Sequence, residues 1–382
     1  KSFDNHGVPS ILVDKKNRIN MFYYPHSHQI KHAIGTFSND SILSWDLKKS
    51  LGNYLTYPNP VYQKDSGILL FSRKTVNIPG PNPLVTYGFH TINKDNSSYR
   101  ELFRTNFSGY GAFSSFILSD NNKLSIASNF HENSFNDTYG NYQTISYVES
   151  FDGGFSWKKD ALENIKYKYI PSLRWKNLML DNLITSSKSS IVYLGGIKKG
   201  NYLNIGGLQY NKFGEPQILF LKESIEESKI FIADRNHLNK SWGLKEISKK
   251  IFPLFENKRF SGPMGGYYLN NDLEIFPLII QDDKILRNPN LISAWGHKSN
   301  AVVLVIRDES SGNFKILRKF NSNKKGIWLP YLKVIGNDGF LMFTLGNSKD
   351  NPKNYNTNKT KVFLFHFKLS NLKEMKFKNI YL

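Results

Sequence analysis

The sequence predicts an all-β fold, specifically a seven-bladed β-propeller forming a single domain over residues 1–382. Three observations lead there: a composition that favours strands, a hairpin that recurs along the chain, and one compact Asp/Gly turn that ends in Trp. Phe, Tyr and Trp number 28, 21 and 6, and aromatic side chains suit the half-buried pleated surface of a strand better than a helix. Helical periodicity is scarce, and the short stretch Glu223–Ser228 reads as a loop.

The recurring unit is a Pro- or aromatic-containing leading segment, a short apolar strand, an Asp/Asn/Gly turn and a second apolar strand. The first copy runs from His6-Gly7-Val8-Pro9 through Ile11-Leu12-Val13, turns at Asp14-Lys15-Lys16-Asn17 and continues from Ile19 to Tyr24. The second leads with Tyr57-Pro58-Asn59-Pro60, turns at Lys64-Asp65-Ser66-Gly67 and continues from Ile68 to Ser72. The third leads with Tyr110-Gly111-Ala112-Phe113, turns at Asp120-Asn121-Asn122 and continues from Leu124 to Ala127. Later copies span Pro263 to Leu278 and Leu329 to Leu345, and two more fit around Pro171-Ser172-Leu173 and near residue 220. A period of roughly 50 residues built from short strands marks a propeller rather than a sandwich. The stretch Lys361–Phe367 reads as one further strand, placed to complete the ring beside the N-terminus.

Ser150-Phe151-Asp152-Gly153-Gly154-Phe155-Ser156-Trp157 fits the pattern S-x-D-x-G-x-[ST]-W, the Asp box. The Asp caps backbone amides in a tight turn, Gly supplies positive φ and Trp packs between strands. These are structural tasks, so Asp152 is given no catalytic role. Ser38–Trp45 is a degraded copy without the Gly.

The net charge of +20 suits a polyanionic partner: nucleic acid, anionic lipid or an acidic glycan. A Lys- and Asn-rich composition serving solubility would give the same excess. No zinc finger, helix-turn-helix or RNA-recognition motif is present, which ranks nucleic acid low. No run of eighteen apolar residues exists, so membrane insertion is not expected. Cysteine is absent, which excludes disulfides, thiolate nucleophiles and Cys-ligated zinc. The sequence opens at Lys1-Ser2-Phe3, and the expectation is a monomer that is secreted, periplasmic or on the cell surface, its signal peptide lying outside the sequence.

Propeller geometry groups the polar residues. The loop leading into a blade's innermost strand and the loop after its second strand open on the same face. His6, Tyr57 and Tyr110 stand on leading loops, and His26, Arg73 and His131 follow the second strands of the same three blades. All six are therefore expected on one face near the axis. Taken singly, a His is more often a surface or structural residue, Tyr57 before Pro58 suits simple packing, and Arg73 suits a surface cation. Equivalent placement in three blades weakens that reading. His26, His28 and His32 also raise a metal site, although no third ligand is evident beside the His26–His28 pair; no metal or other cofactor is assigned, and a structural ion stays open.

At these positions the chain resembles the BNR-repeat polysaccharide lyases of the ulvan lyase type. The resemblance is carried by Asp4–Pro9, Met21–His26, Thr56-Tyr57-Pro58, Gly67–Arg73 and the Asp box, well over about the first 160 residues and beyond that as repeat rhythm. It implies a seven-bladed ring that cleaves a uronate-containing, ulvan-like polysaccharide by β-elimination. It also implies that His6, His26, Tyr57 and Arg73 are catalytic, with Tyr110 and His131 contacting sugar. Lys74–Pro81 replaces the family's Gly/Ser-rich turn, and the Cys ligand of a structural zinc found in some relatives is missing. Sialidases share the Asp box but need an arginine triad and an Arg-Ile-Pro motif, which this chain lacks. The alternative is a non-catalytic glycan-binding propeller, an adhesin or receptor-binding protein.

Overall fold

The computed structural model describes residues 9–14, 16, 18–23, 28–38, 41–63, 67–76, 84–92, 99–108, 115–120, 122–131, 142–159, 163–166, 183–184, 188–195, 202–224, 226–255, 258–261, 265–270, 273–282, 299–308, 311–322, 325–346, 361–372, 374 and 376–382. They form two compact units, one within Asp4–Asp137 and Tyr142–Leu194 and one within Gly195–Leu382. The class is all-β with the strand arrangement of a β-propeller, and four blades are delineated among the described residues.

In the first unit, β1 (Ser10–Val13), β2 (Ile19–Tyr23), β3 (His28–Ser38), β4 (Ser41–Gln63), β5 (Gly67–Val76), β6 (Leu84–Ile92) and β7 (Tyr99–Ser108) follow one another as an antiparallel meander. A second meander holds β8 (Ser115–Asp120), β9 (Lys123–His131), β10 (Tyr142–Ser150), β11 (Lys158–Lys159) and β12 (Glu163–Asn164). Two short strands complete the unit: β13 (Leu183–Ile184) runs parallel to β7, and β14 (Ser190–Leu194) antiparallel to β10.

Strand β4 is shared between two hairpin systems. Residues 41–55 pair with β3, whereas residues 55–63 pair with β5. It thus closes one four-stranded meander and opens the next. The sheet that continues from it is buried on both faces, because β5 alternates its side chains between two cores. Ile68 and Leu70 pack with Leu12, Phe22, Ile30, Leu51, Leu55 and Ile92. Leu69 and Phe71 pack with Val61, Phe89, Ile117, Leu124, Ile126, Val148, Trp157 and Ile165. Burial on both faces explains why β5 reads as the unbroken run Ile68-Leu69-Leu70-Phe71 and not as an alternation.

Between β10 and β11 the Ser150–Trp157 segment forms a turn. The Asp152 carboxylate accepts from the amides of Phe155 and Ser156, each at 2.9 Å, and from the Ser150 hydroxyl at 2.7 Å. Gly153 and Gly154 have positive φ, 74° and 95°. Trp157 is 1% exposed in the second core. The Ser38–Trp45 segment is different: Trp45 is 42% exposed and lies against Gly35. Trp45 stands within β4 and not after a described turn, with its ring on the exposed side of that strand.

The second unit begins with the meander β15 (Tyr202–Tyr210), β16 (Pro216–Glu223), β17 (Ser228–Arg235) and β18 (Trp242–Glu246). The short helix α1 (Ser248–Ile251) follows. Next come β19 (Lys258–Ser261), β20 (Tyr268–Leu269), β21 (Leu273–Asp282), β22 (Ala301–Asp308) and β23 (Phe314–Asn321). Then β24 (Gly326–Ile335), β25 (Asp338–Gly346) and β26 (Lys361–Lys368) form a three-stranded sheet, and β27 (Lys378–Tyr381) runs parallel to β23. One core joins the first two of these sheets through Leu219, Leu221, Ile230, Ile232, Phe276, Leu278, Val303 and Val305. The hairpin turns expected at residues 14–17, 120–122 and 337–339 fall at the β1–β2, β8–β9 and β24–β25 junctions, with Asp120 closing β8 and Asp338 and Gly339 opening β25, and the strand expected over Lys361–Phe367 is β26. The unit expected around Pro171–Leu173 lies outside the described residues.

Within this unit, Gly266 has φ 89° and lies where a Cβ would overlap the Leu332 backbone. The Leu332 amide donates to the Gly265 carbonyl at 2.8 Å in the same place. Gly266→Ala is expected to combine a left-handed backbone penalty with a backbone collision and to cost at least about 2 kcal/mol, read as a lower midpoint in chemical denaturation.

Candidate active site

Two of the six candidate residues come together with their side chains described. Tyr57 lies in β4 at the switch between its two partners, where the pairing register shifts between Thr56 and Asn59. Arg73 lies in β5, opposite Thr56 on one side and Tyr87 on the other. The Arg73 guanidinium carbon lies 4.5 Å from the centroid of the Tyr57 ring. Both residues are buried, at 6% and 7% exposure. A cation over an aromatic face contributes about 0.5–2 kcal/mol, more when water is excluded.

The backbone at Tyr57 is left-handed, with φ 54°. For a bulky residue this conformation costs about 1–3 kcal/mol. The following Pro58 adds its own restriction, since it drives the preceding residue toward extended geometry. Asn59, itself buried, donates from its side-chain amide to the Tyr57 carbonyl at 3.1 Å. The same device recurs in the other unit. Leu329 precedes Pro330 with φ 53°, at a register shift between Trp328 and Tyr331 in β24. These are corresponding places in two copies of the repeat, so the kink belongs to the scaffold, and the tyrosine occupies one instance of it.

Electrostatically the pair is mixed. Burial pushes the Tyr57 phenol above its ordinary value, and the Arg73 charge pulls against that without reversing it. The phenol therefore stays protonated at neutral pH. A buried guanidinium beside a protonated phenol can grip a carboxylate and pass a proton to a nearby oxygen.

The other candidates are placed less fully. His6, His26 and Tyr110 lie outside the described residues. His131 ends β9 opposite Tyr142, and its side chain is likewise outside them. The metal reading around His26, His28 and His32 meets a competing role for His32. Its Nε2 is 2.8 Å from Asn20 Oδ1, and its ring stacks on Phe22 with centroids 4.6 Å apart. Asn20 in turn donates to Asp14, which is bound to Arg18 at 2.7 Å. His32 thus belongs to a polar network between strands. No cluster of three metal-ligating side chains occurs among the described residues.

Sequence reasoning attached no role to Asn59 or to His90. His90, fully buried, has Nδ1 3.2 Å from the Ser72 hydroxyl, and its strand partner is Leu70. It therefore sits on the face of the sheet opposite Arg73. The Pro58-Asn59-Pro60 spacing was the available signal for Asn59: a polar residue between two prolines at a strand crossing has a specific backbone to hold.

A phenol whose pKa is raised by folding stabilises the fold fully below its unfolded value, and that contribution is lost as pH rises through the folded value. Wild-type protein should therefore lose stability above about pH 10 more steeply than Tyr57→Phe. Melting temperatures of the two proteins across alkaline pH measure the difference, which also cancels the like contribution of buried Tyr331.

Comparison with known proteins adds the family. No curated protein matches the sequence. Among solved structures, a polysaccharide lyase described as PL25 ulvan lyase shares 12% identity over 98% of this chain and 83% of its own, with a TM-score of 0.54. A second structure of that type is bound to -[GlcA(1-4)Rha3S]-, at 13% identity over the same shares of the two chains and the same TM-score. The α-L-arabinanase of Penicillium chrysogenum, complexed with arabinobiose, shares 10% identity over 97% of this chain and 98% of its own, with a TM-score of 0.54. At such identity these likenesses establish the fold. The profile of the BNR repeat-containing family matches residues 1–250, and the chain belongs to that family.

Proposed function

We propose that the protein is a carbohydrate-active enzyme that cleaves a uronate-containing, ulvan-like polysaccharide by β-elimination. The observation that carries the reading is the buried Tyr57–Arg73 pair, with the guanidinium 4.5 Å from the ring centroid, held at a strand crossing. The likeness to an ulvan lyase bound to a glucuronate-containing chain supports the substrate class. In this reading the chain closes as one seven-bladed ring over residues 1–382, works outside the cytoplasm as a monomer and needs no cofactor.

The chemistry follows from the residues. β-Elimination removes the C5 proton of a uronate and expels the oxygen on C4. That proton is weakly acidic while the adjacent carboxylate is charged. Arg73 neutralises the carboxylate and stabilises the enolate-like charge as it develops. Tyr57, kept protonated by burial, donates a proton to the departing oxygen. His6 is assigned the base and His26 the task of orienting it or sharing the carboxylate. Tyr110 and His131 contact neighbouring sugars. The basic surface steers the anionic chain, and its effect weakens with salt.

A hydrolase reading would call on a pair of carboxylates. Among the described residues the buried acids Asp14, Glu149, Glu215 and Glu274 are each held by a cation, Arg18 at 2.7 Å, Lys123 at 3.7 Å, Arg235 at 2.6 Å and Arg307 at 2.6 Å respectively, and buried Glu223 accepts from the Asn204 amide at 3.3 Å. Such pairing suits structural work.

The test is the initial rate of ultraviolet absorbance gain, which reports the unsaturated uronate, on a panel of uronate polysaccharides. Arg73→Ala and Tyr57→Phe are each expected to lose about a hundred- to a thousand-fold in kcat, with Tyr57→Phe melting normally. Near-wild-type rates in both would reject this site. Binding without any absorbance gain by the wild type would favour a glycan-binding protein instead.

A further inference from the structure

We propose that Asn59 is a positioning residue whose side-chain amide holds Tyr57 in its left-handed backbone, and thereby keeps the phenol ring against Arg73. The inference rests on the functional reading for its kinetic arm only.

The geometry is specific. Tyr57 has φ 54°, precedes a proline, and lies inside a register shift, so its backbone bond pattern is broken where its conformation is least favourable. The Asn59 amide donates to the Tyr57 carbonyl at 3.1 Å, bracing the peptide that follows the strained residue. Asn59 is itself buried, so little water is available to replace the bond. The counterpart at Leu329-Pro330 reaches φ 53° with Tyr331 standing where Asn59 stands in β4. The scaffold can therefore make the bulge without an Asn. The additional donor occurs where the residue at the kink is a tyrosine set against a guanidinium, and there small displacements matter: a misplacement of about 1 Å can cost a hundred-fold in rate. Burial and the Arg73 charge set the ionisation of the phenol in opposite senses, burial prevailing, so a ring that leaves this place titrates closer to an ordinary tyrosine.

The test uses the full chain and three variants. Asn59→Ala removes the donor, Asn59→Ser keeps a short hydroxyl donor, and Tyr57→Phe assigns the Tyr57 signal in protein whose tyrosines carry carbon-13 at the ring Cζ. Expected results for Asn59→Ala are a cooperative transition with a melting temperature modestly below wild type, since a buried donor is lost, a fall in kcat of about ten- to a hundred-fold with KM within about twofold, and a downward shift of the Tyr57 titration toward about 10. Asn59→Ser is expected to recover most of the kcat and of the titration shift. An unchanged Tyr57 titration in Asn59→Ala overturns the proposal, as does a rise in KM with kcat intact. Wild-type protein inactive on every uronate polymer sinks the lyase reading alone, because the titration still decides whether Asn59 positions the ring.

Discussion

Strand β4 must serve two neighbouring meanders, and the left-handed kink at Tyr57-Pro58 lies where its pairing passes from β3 to β5. A strand that passes from the outside of one meander to the inside of the next has to break its ladder somewhere. Here the break coincides with a proline, which has no amide hydrogen to lose from the ladder. The same φ recurs at Leu329-Pro330, at a register shift in a strand that keeps the single described partner β25 throughout, so the kink belongs to the repeat's backbone and not to the chemistry. The proposed site uses a position that the scaffold strains in any case.

What keeps that strain in place is packing on both faces of the sheet that continues from the crossing. Leu69 and Phe71 belong to one core and Ile68 and Leu70 to the other, so β5 is fixed from both sides. Arg73 extends the same strand three residues beyond Leu70. Its guanidinium is carried to Tyr57 by a strand that cannot slip, since a one-residue register change would exchange the two cores.

The electrostatics divide along similar lines. Three buried acids, Glu149, Glu215 and Glu274, are matched to cations within the sheets. The Asp152 carboxylate is likewise engaged by the turn around it; hydrogen bonds from Ser156, Ser150 and Phe155 hold its pKa low against the opposing effect of burial. Arg73 is set against an aromatic face. A guanidinium is planar and its fork of donors matches a carboxylate, which is the recognition that the proposed reaction needs first.

The sequence by itself determined the class and much of the local architecture. Aromatic-rich runs with Asp/Asn/Gly turns specify hairpins, because turn chemistry and side-chain alternation are local properties. The hairpins at Ser10–Tyr23, Ser115–His131 and Gly326–Gly346 were legible for that reason. It marked the β15–β18 meander only as a further copy near residue 220, without its strands or its turns at Asn211–Glu215 and Asn236–Ser241. It paired Tyr57 with Arg73 only through an assumed propeller geometry. Tertiary structure decided the rest: that β4 is one strand with two partners, that Trp157 is buried and Trp45 is not, that His32 is taken up by Asn20 and Phe22, and that Asn59 braces Tyr57. Each of these depends on which distant strand lies alongside, and local sequence carries the propensity to pair but not the identity of the partner.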